Sequence, residues 1–371
     1  PKVSFEIHSP FLSYRRYMPL LDSVVLANPR GGSGKSTLVF HLSTMYAKLH
    51  PEMKVVVLDA SAFGDSSALL LGSHETRRQL LLDQRNAFVI CHLARIATSE
   101  GLNPEEVISG EILPIDRQPE DFYGNLLKAS DFNPNDLPSN LYLCAGGDIR
   151  DSVLSQHRVH ARVLSTMVKG LRKALVSTKE NVVIFSDTDG GEMDPITAVM
   201  LGVNHKLVIP ISPFNNDVVR AHGIFRLLSQ MEGDVPGLLE ARLHMLLFTP
   251  LDSTKNEPYT LPEPIDVTSP VKMPKLVEDQ IAAQSQKFFE DFREADALFR
   301  STTAAAFYRD CFYGVKNFKS EMASAAMGVP VWRLKNADMV VNNMTEILKR
   351  LQVGQVVGQI TPIKVKPGTF A

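Results

Sequence analysis

The run Asn28-Pro29-Arg30-Gly31-Gly32-Ser33-Gly34-Lys35-Ser36-Thr37 joins an apolar stretch (Val24, Val25, Leu26) to a segment with amphipathic helical spacing. A glycine-rich turn that opens a helix presents successive backbone N–H groups, and the helix N-terminus adds partial positive charge, so the turn suits phosphate. Gly31, Gly32, Ser33 and Gly34 would form the concave part of such a site, with Thr37 closing it. Lys35 would reach the terminal phosphates of a triphosphate, and the Ser36 hydroxyl would ligate magnesium. Two carboxylates suit the same chemistry. Asp59 ends the apolar run Lys54–Leu58, and Asp187 ends the run Asn181–Ser186. A carboxylate at such a place holds magnesium through a bound water and so links metal to phosphate. Taken alone, Asp59 would serve equally as a strand terminator, and Asp187-Thr188-Asp189-Gly190-Gly191 as a cap and turn cluster. A phosphate loop on the same chain favours the metal role for Asp187, with Asp59 as a second candidate ligand.

These residues need a scaffold that brings them to one edge. Apolar runs of strand length recur at Ser23–Ala27, Val55–Leu58, Leu141–Cys144, Val182–Phe185, Leu207–Ile211 and Leu243–Phe248, with helical patterns between them. That alternation predicts an α/β fold, a mostly parallel twisted sheet with helices on both faces and helical or loop insertions. Ligands of such sheets bind outside the carboxyl ends of the strands, where the phosphate loop, Asp59 and Asp187 would project. Residues 1–22 are expected as an N-terminal extension, 23–351 as the main domain and 352–371 as a tail or edge strand. Within the domain, 72–140 reads as an insertion with a helix over Arg77–Thr98, and the proline-rich 250–274 as an irregular loop. Helices are predicted over Lys275–Arg300, Thr303–Lys319 and Ala337–Leu351.

With 371 residues and 44% hydrophobic content, the chain can bury a large core. A formal net charge of −2 provides no global attraction to nucleic acid or anionic lipid, so any such binding needs a local patch. The three cysteines, Cys91, Cys144 and Cys311, are far apart, which disfavours a disulfide framework or a metal-cluster site and fits a reducing, cytoplasmic setting. No apolar run approaches the ~20 residues that span a bilayer, so no stable membrane insertion is expected. The opening residues Pro1–Leu21 lack the pattern of a secretory leader.

The loop departs from the general phosphate-loop pattern, because Pro29 stands where that pattern has its first glycine. It fits a narrower one, a basic residue before two glycines, and Arg30-Gly31-Gly32-Ser33-Gly34-Lys35-Ser36 resembles the deviant loop of the ParA/MinD-type ATPases. Further likeness runs in order along most of Ser23–Leu351: Leu141–Gly146 before a long helix, His244–Asp252, Ala306-Phe307-Tyr308-Arg309-Asp310, and Gly328-Val329-Pro330-Val331-Trp332. The resemblance implies ATP and Mg2+ as cofactors, with Thr249, Pro250 and Asp252 lining the adenine pocket. It also implies a homodimer closed by ATP, in which the residue at Arg30 reaches the partner's phosphates. Arginine there keeps the charge and adds a planar fork suited to phosphate oxygens; a loop arginine that meets only local carboxylates is the alternative.

One family position is changed. Aligning Asp59-Ala60-Ser61-Ala62-Phe63-Gly64-Asp65 with the family's Asp-x-Asp-Pro-Gln-Gly-Asn puts Ser61 where the water-positioning carboxylate sits. A serine cannot accept a proton as a carboxylate does, so slow hydrolysis is expected, with Asp59 or Asp65 as substitutes. Arg333, Lys335, Lys349, Arg350, Lys364 and Lys366 make a late basic cluster, which in partition ATPases would bind nonspecific DNA and otherwise is a solvated face. The implied role is positioning or partitioning of DNA, such as a plasmid, or of another cargo, with an adaptor that stimulates turnover. A nucleotide-gated scaffold or filament that hydrolyses little is the alternative.

Overall fold

A computed structural model describes residues 20–84, 119–147, 161–176, 180–190, 195–211, 243–248, 312–314, 327–334 and 338–354, with isolated positions between them. β1 (Leu21–Leu26), β2 (Lys54–Asp59), β4 (Leu141–Cys144), β5 (Val182–Asp187), β6 (Lys206–Ile211), β7 (Leu243–Phe248) and β8 (Phe312–Gly314) run parallel. The two-residue β3 (Leu127–Lys128) adds antiparallel to β4, giving the order β3-β4-β2-β5-β1-β6-β7-β8. The central strands are apolar on both faces: Val24, Val25 and Leu26, Val55 to Leu58, and Val182 to Phe185 are all buried. Strands covered on both sides need exactly this continuous apolar pattern rather than alternation.

The helices are α1 (Lys35–Leu49), α2 (Asp65–Leu71), α3 (His74–Asp83), α4 (Ala161–Val176), α5 (Pro195–Val203) and α6 (Asp338–Arg350). α1 differs from the amphipathic helix expected after the loop. Its residues Leu38 to Ala47 are all buried, and it contacts the sheet, α2 and α6. Such a helix buries polar side chains only if they bond locally, and the Ser43 and Thr44 hydroxyls donate to Phe40 O at 3.2 and 2.7 Å. Among the described residues, no helix is long and apolar enough to cross a membrane.

The structure corrects several expected bounds. The predicted helix Arg77–Thr98 instead begins at His74 and breaks after Asp83, where Gln84 N–H donates to Leu80 O at 2.7 Å; helical conformation returns at Val89, His92, Leu93 and Ile96. Phe88 then bridges Ala145 in parallel, and its ring is fully buried. A β-prone aromatic beside a free strand edge gains more by pairing there than by continuing an otherwise exposed helix. Residues 312–314, placed inside a predicted helix, form β8 on the free edge of β7. Leu21 and Asp22, assigned to the N-terminal extension, are the first residues of β1. The predicted helix Lys275–Arg300 and the irregular loop 250–274 lie outside the described residues.

The amino ends of the strands are tied by a buried ion pair. Lys206 Nζ lies 2.6 Å from Asp22 Oδ2, with Lys206 2% and Asp22 0% exposed. Gly354 N–H donates to the same Asp22 oxygen at 2.8 Å, and Lys206 donates to Gln352 O at 2.7 Å. The start of the expected tail is thereby fixed under the sheet. The late motif Gly328–Trp332 packs nearby on the helices: Asn133 Nδ2 lies 3.2 Å from both Leu69 O and Gly328 O, and Lys48 sits 4.4 Å over the Trp332 ring.

Candidate nucleotide-phosphate site

Gly32 and Gly34 have φ of 77° and 86°, conformations that favour glycine, and they turn the chain from β1 into α1. Among the described residues, no atom beyond the chain neighbours lies within 4 Å of where a Cβ on Gly31 or Gly32 would stand, so this side of the loop is open to them. The first helical hydrogen bond is Leu38 N–H to Gly34 O at 2.9 Å, which leaves the amides of Lys35, Ser36 and Thr37 ahead of the ladder. No acidic residue occupies the first turn of α1. These are the elements of an anion site.

Neighbouring strands hold the loop in place. Asn28 Nδ2 donates to Pro210 O on β6 at 2.6 Å, and its Oδ1 accepts Arg30 N–H at 2.9 Å. Thr188 Oγ1, just past β5, donates to Leu26 O at 2.9 Å. Gly190 lies against the loop so closely that a Cβ there would stand 2.7 Å from Gly31 N. Lys35 is 6% exposed, and its ammonium donates to Asn28 O and Arg30 O at 3.0 Å each. Arg30 itself is half-buried.

Behind the loop stand Asp59 and Asp187, register partners on β2 and β5. Asp59 accepts four hydrogen bonds. Oδ1 takes Ser61 N–H at 3.0 Å and Ser61 Oγ at 2.7 Å; Oδ2 takes Ser67 N–H at 2.7 Å and Ser67 Oγ at 2.6 Å. Asp187 accepts Ser66 Oγ on Oδ2 at 2.5 Å and Thr188 N–H on Oδ1 at 3.0 Å. Burial, and then the Asp59 charge, push the Asp187 carboxyl up to about 7, against opposing hydrogen bonds from Ser66 and Ser36 and the charge of Lys35. Burial also raises Asp59, and its serine hydrogen bonds offset part of that.

The donor set fits magnesium. Ser36 and the two aspartates are hard oxygen ligands, and magnesium typically takes one or two carboxylates plus substrate phosphates. Ser33, 2% exposed, has an Oγ with no hydrogen-bond partner among the described residues, a spare polar group on the loop itself. Cation charge would also relieve the mutual repulsion of two buried carboxylates.

The predicted residues Arg30 to Thr37, Asp59, Ser61 and Asp187 thus meet at the carboxyl edge of the central strands. Thr249, Pro250 and Asp252 lie outside the described residues. The Ser61 hydroxyl is committed to its own turn, donating to Asp59 and accepting Gly64 and Asp65 N–H at 3.1 and 3.3 Å. Sequence reasoning passed over Asn28, Ser66, Ser67, Gly146 and Gly190. The signal for the last two was the Gly-Gly pair that follows a strand in each case, since a glycine there permits close backbone approach.

No protein-family model matches this chain, and no curated protein matches it. Solved structures do. The ParA of pNOB8 is 11% identical at a TM-score of 0.50, covering 90% of this chain and 98% of that one. A plasmid partition protein from Borrelia burgdorferi is 13% identical at 0.45, covering 89% and 99%. The MinD cell-division protein of Aquifex aeolicus is 13% identical at 0.44, covering 88% and 97%. At such identities the likeness concerns architecture. With the eight-stranded order and the loop geometry above, this chain has the fold of the ParA/MinD-type P-loop ATPases.

Proposed function

We propose that this protein is an ATP-dependent switch of the ParA type. ATP and magnesium close a homodimer, the closed dimer engages a surface such as DNA and so positions or partitions a cargo, and slow hydrolysis releases it. The observation that carries this reading is the placement of Lys35, Asp59 and Asp187 around one open glycine turn. Fold alone would not carry it, since one fold hosts many functions.

The residues divide the work. Amides of the turn and Lys35 bind and orient the phosphates, Lys35 exchanging its loop carbonyls for phosphate oxygens. Ser36 and Asp187 would hold magnesium, which when bound neutralises charge between the terminal phosphates. Asp59, with its four donors, fixes the Ser61 turn beside Asp187. Arg30, carried by the loop at half-burial, is the residue suited to reach a second copy's phosphates.

Nonspecific DNA is the surface proposed, through the late basic cluster. Its described members have local carboxylates: Arg333 pairs with Asp136, and Lys349 and Arg350 lie 4.0 and 3.4 Å from Glu346. Lys335, Lys364 and Lys366 lie outside the described residues. Binding through phosphates would weaken steeply with salt.

A second reading is a nucleotide-gated scaffold that hydrolyses little, and the committed Ser61 hydroxyl favours it. Light scattering with magnesium plus ADP, ATP or a nonhydrolysable analogue separates the two when released phosphate is followed in parallel. The switch requires an ATP-specific dimer, lost in Lys35→Ala and Arg30→Ala, with slow phosphate release. A dimer without phosphate release selects the scaffold. A wild type indifferent to nucleotide overturns both.

A further inference from the structure

Arg77 is a half-buried cation on α3, whose neighbours Arg78 and Gln79 are exposed. Arg78 has an ion-pair partner, Glu75 at 3.4 Å. Arg77 has no carboxylate partner among the described residues, and its buried Nε has no hydrogen-bond partner there. Its side chain runs instead over three glycines. Its Cδ would stand 2.8 Å from a Cβ on Gly64, and its Nη1 fills the space a Gly147 side chain would need. Nη1 donates to Gly146 O at 3.3 Å.

That carbonyl belongs to the Gly146–Gly147 peptide, whose other end, Gly147 N–H, donates to Ser61 O at 3.1 Å. Gly146 N–H donates to Ser67 Oγ at 2.8 Å, and Ser67 Oγ donates to Asp59 Oδ2 at 2.6 Å. The Gly146 backbone also presses on Asp59, where a Cβ would stand 2.6 Å from the carboxyl carbon. One guanidinium therefore holds the Gly146 carbonyl between two peptides: the one before it reaches Asp59 through Ser67, and the one after it reaches the Ser61 turn. Chains of this kind polarise one another and act as a unit. With no carboxylate partner among the described residues, a cation at the head of such a chain has positioning rather than ion pairing as its geometric consequence.

We propose that Arg77 is a positioning residue for the phosphate and magnesium site, acting through the backbone on both sides of Gly146 on Asp59 and Ser61. The proposal rests on the nucleotide-switch reading. It makes α3, which lies outside the phosphate loop, a structural input to the site.

The test uses the full chain with a fluorescent ATP analogue, titrated with magnesium after binding in EDTA, beside thermal unfolding and phosphate release. Arg77→Met keeps the aliphatic stem and removes the donors. It is expected to bind the analogue in EDTA as wild type does, but to need about tenfold more magnesium for half-saturation, the size typical when a group behind a metal ligand is removed. Arg77→Lys is expected to recover most of that loss, since an ammonium can still reach Gly146 O, and Arg78→Ala to match wild type. An unchanged magnesium midpoint in Arg77→Met overturns this inference alone. So does an equal loss in Arg77→Met and Arg77→Lys that tracks their melting temperatures, because it marks a packing role. A wild type that does not bind the analogue overturns the nucleotide reading, and this proposal with it.

Discussion

Asp59 and Asp187 stand opposite each other in the parallel register of β2 and β5, and both are fully buried. Ionising one raises the cost of ionising the other, on top of desolvation, and Asp187 is pushed from 3.8 up to about 7. The folded state therefore binds more protons than the unfolded chain between those values, so stability falls as pH rises through that window. Metal-free protein in EDTA is expected to lose melting temperature as pH rises from about 4 to about 7. Magnesium with nucleotide should flatten the upper part of that curve. Asp187→Asn should remove much of the slope, because Thr188 N–H still finds an oxygen and the Ser66 hydroxyl can turn to accept. Thermal unfolding across pH, with and without magnesium, measures all three.

Lys35 makes its hydrogen bonds to two carbonyls of its own loop, Asn28 O and Arg30 O. Lys35→Ala removes the charged donor to phosphate, and it also leaves those carbonyls unpaired and takes a counter-charge from Asp187, so some stability should be lost along with affinity. Charge-assisted hydrogen bonds contribute about 1.5–3 kcal/mol, so nucleotide affinity should fall by about 10- to 100-fold. Calorimetric titration beside a melting curve separates the two effects.

The glycine turn between β1 and α1 and both strand-end aspartates were legible in the sequence because each depends on local order: strand, turn type, then helix. The support beneath them was not. Ser66 and Ser67 meet Asp187 and Asp59 across gaps of 121 and 8 residues, and Asn28 meets Pro210 across 182. Such contacts follow from strand order, which periodicity does not encode. Strand bounds at Leu141–Cys144 and Leu243–Phe248 were matched by the apolar runs alone. The predicted helix Arg77–Thr98 is interrupted at Phe88, and residues 312–314 of the predicted helix Thr303–Lys319 form a strand, for one reason. Phe88 and the 312–314 segment find open sheet edges, and tertiary pairing overrode the local helical pattern.

Gly190 follows Asp187 by three residues and sets the spacing between that strand end and the loop. A Cβ there would stand 2.7 Å from Gly31 N and 3.1 Å from Arg30 C, both backbone atoms that cannot swing aside. Gly190→Ala should cost about 1–3 kcal/mol of strain or displace the loop. The expected outcome is a folded protein with nucleotide affinity reduced at least as far as in Lys35→Ala, measured by the same titration.

At the other end of the sheet, Lys206 and Asp22 are a structural pair. Among the described residues, Lys206→Met leaves buried Asp22 with Ser23 and Gly354 N–H and the nearby His205 to offset its charge. Breaking one partner of a buried pair costs about 3–5 kcal/mol, whereas replacing both costs far less. Lys206→Met should lower the denaturation midpoint sharply, and adding Asp22→Leu should restore most of it. Urea unfolding of the three proteins tests this, and nucleotide affinity of the folded fraction should not change.

Ser61 lies beside Asp59 at the carboxyl edge of β2. Its hydroxyl donates to Asp59 and accepts Gly64 and Asp65 N–H, so it is a turn element before it is anything else. Ser61→Ala should cost about 1–3 kcal/mol by leaving buried donors unpaired, while ATP-dependent association persists. Ser61→Asp keeps the acceptor for both amides but gives up the donor, and adds a third carboxylate beside two that are already hard to ionise. Without magnesium it should melt below Ser61→Ala. With magnesium and ATP that deficit should shrink and phosphate release should rise above wild type, because a carboxylate can orient and deprotonate water as a hydroxyl cannot. Unchanged release in Ser61→Asp, with association intact, would place the limit on hydrolysis elsewhere than at this residue.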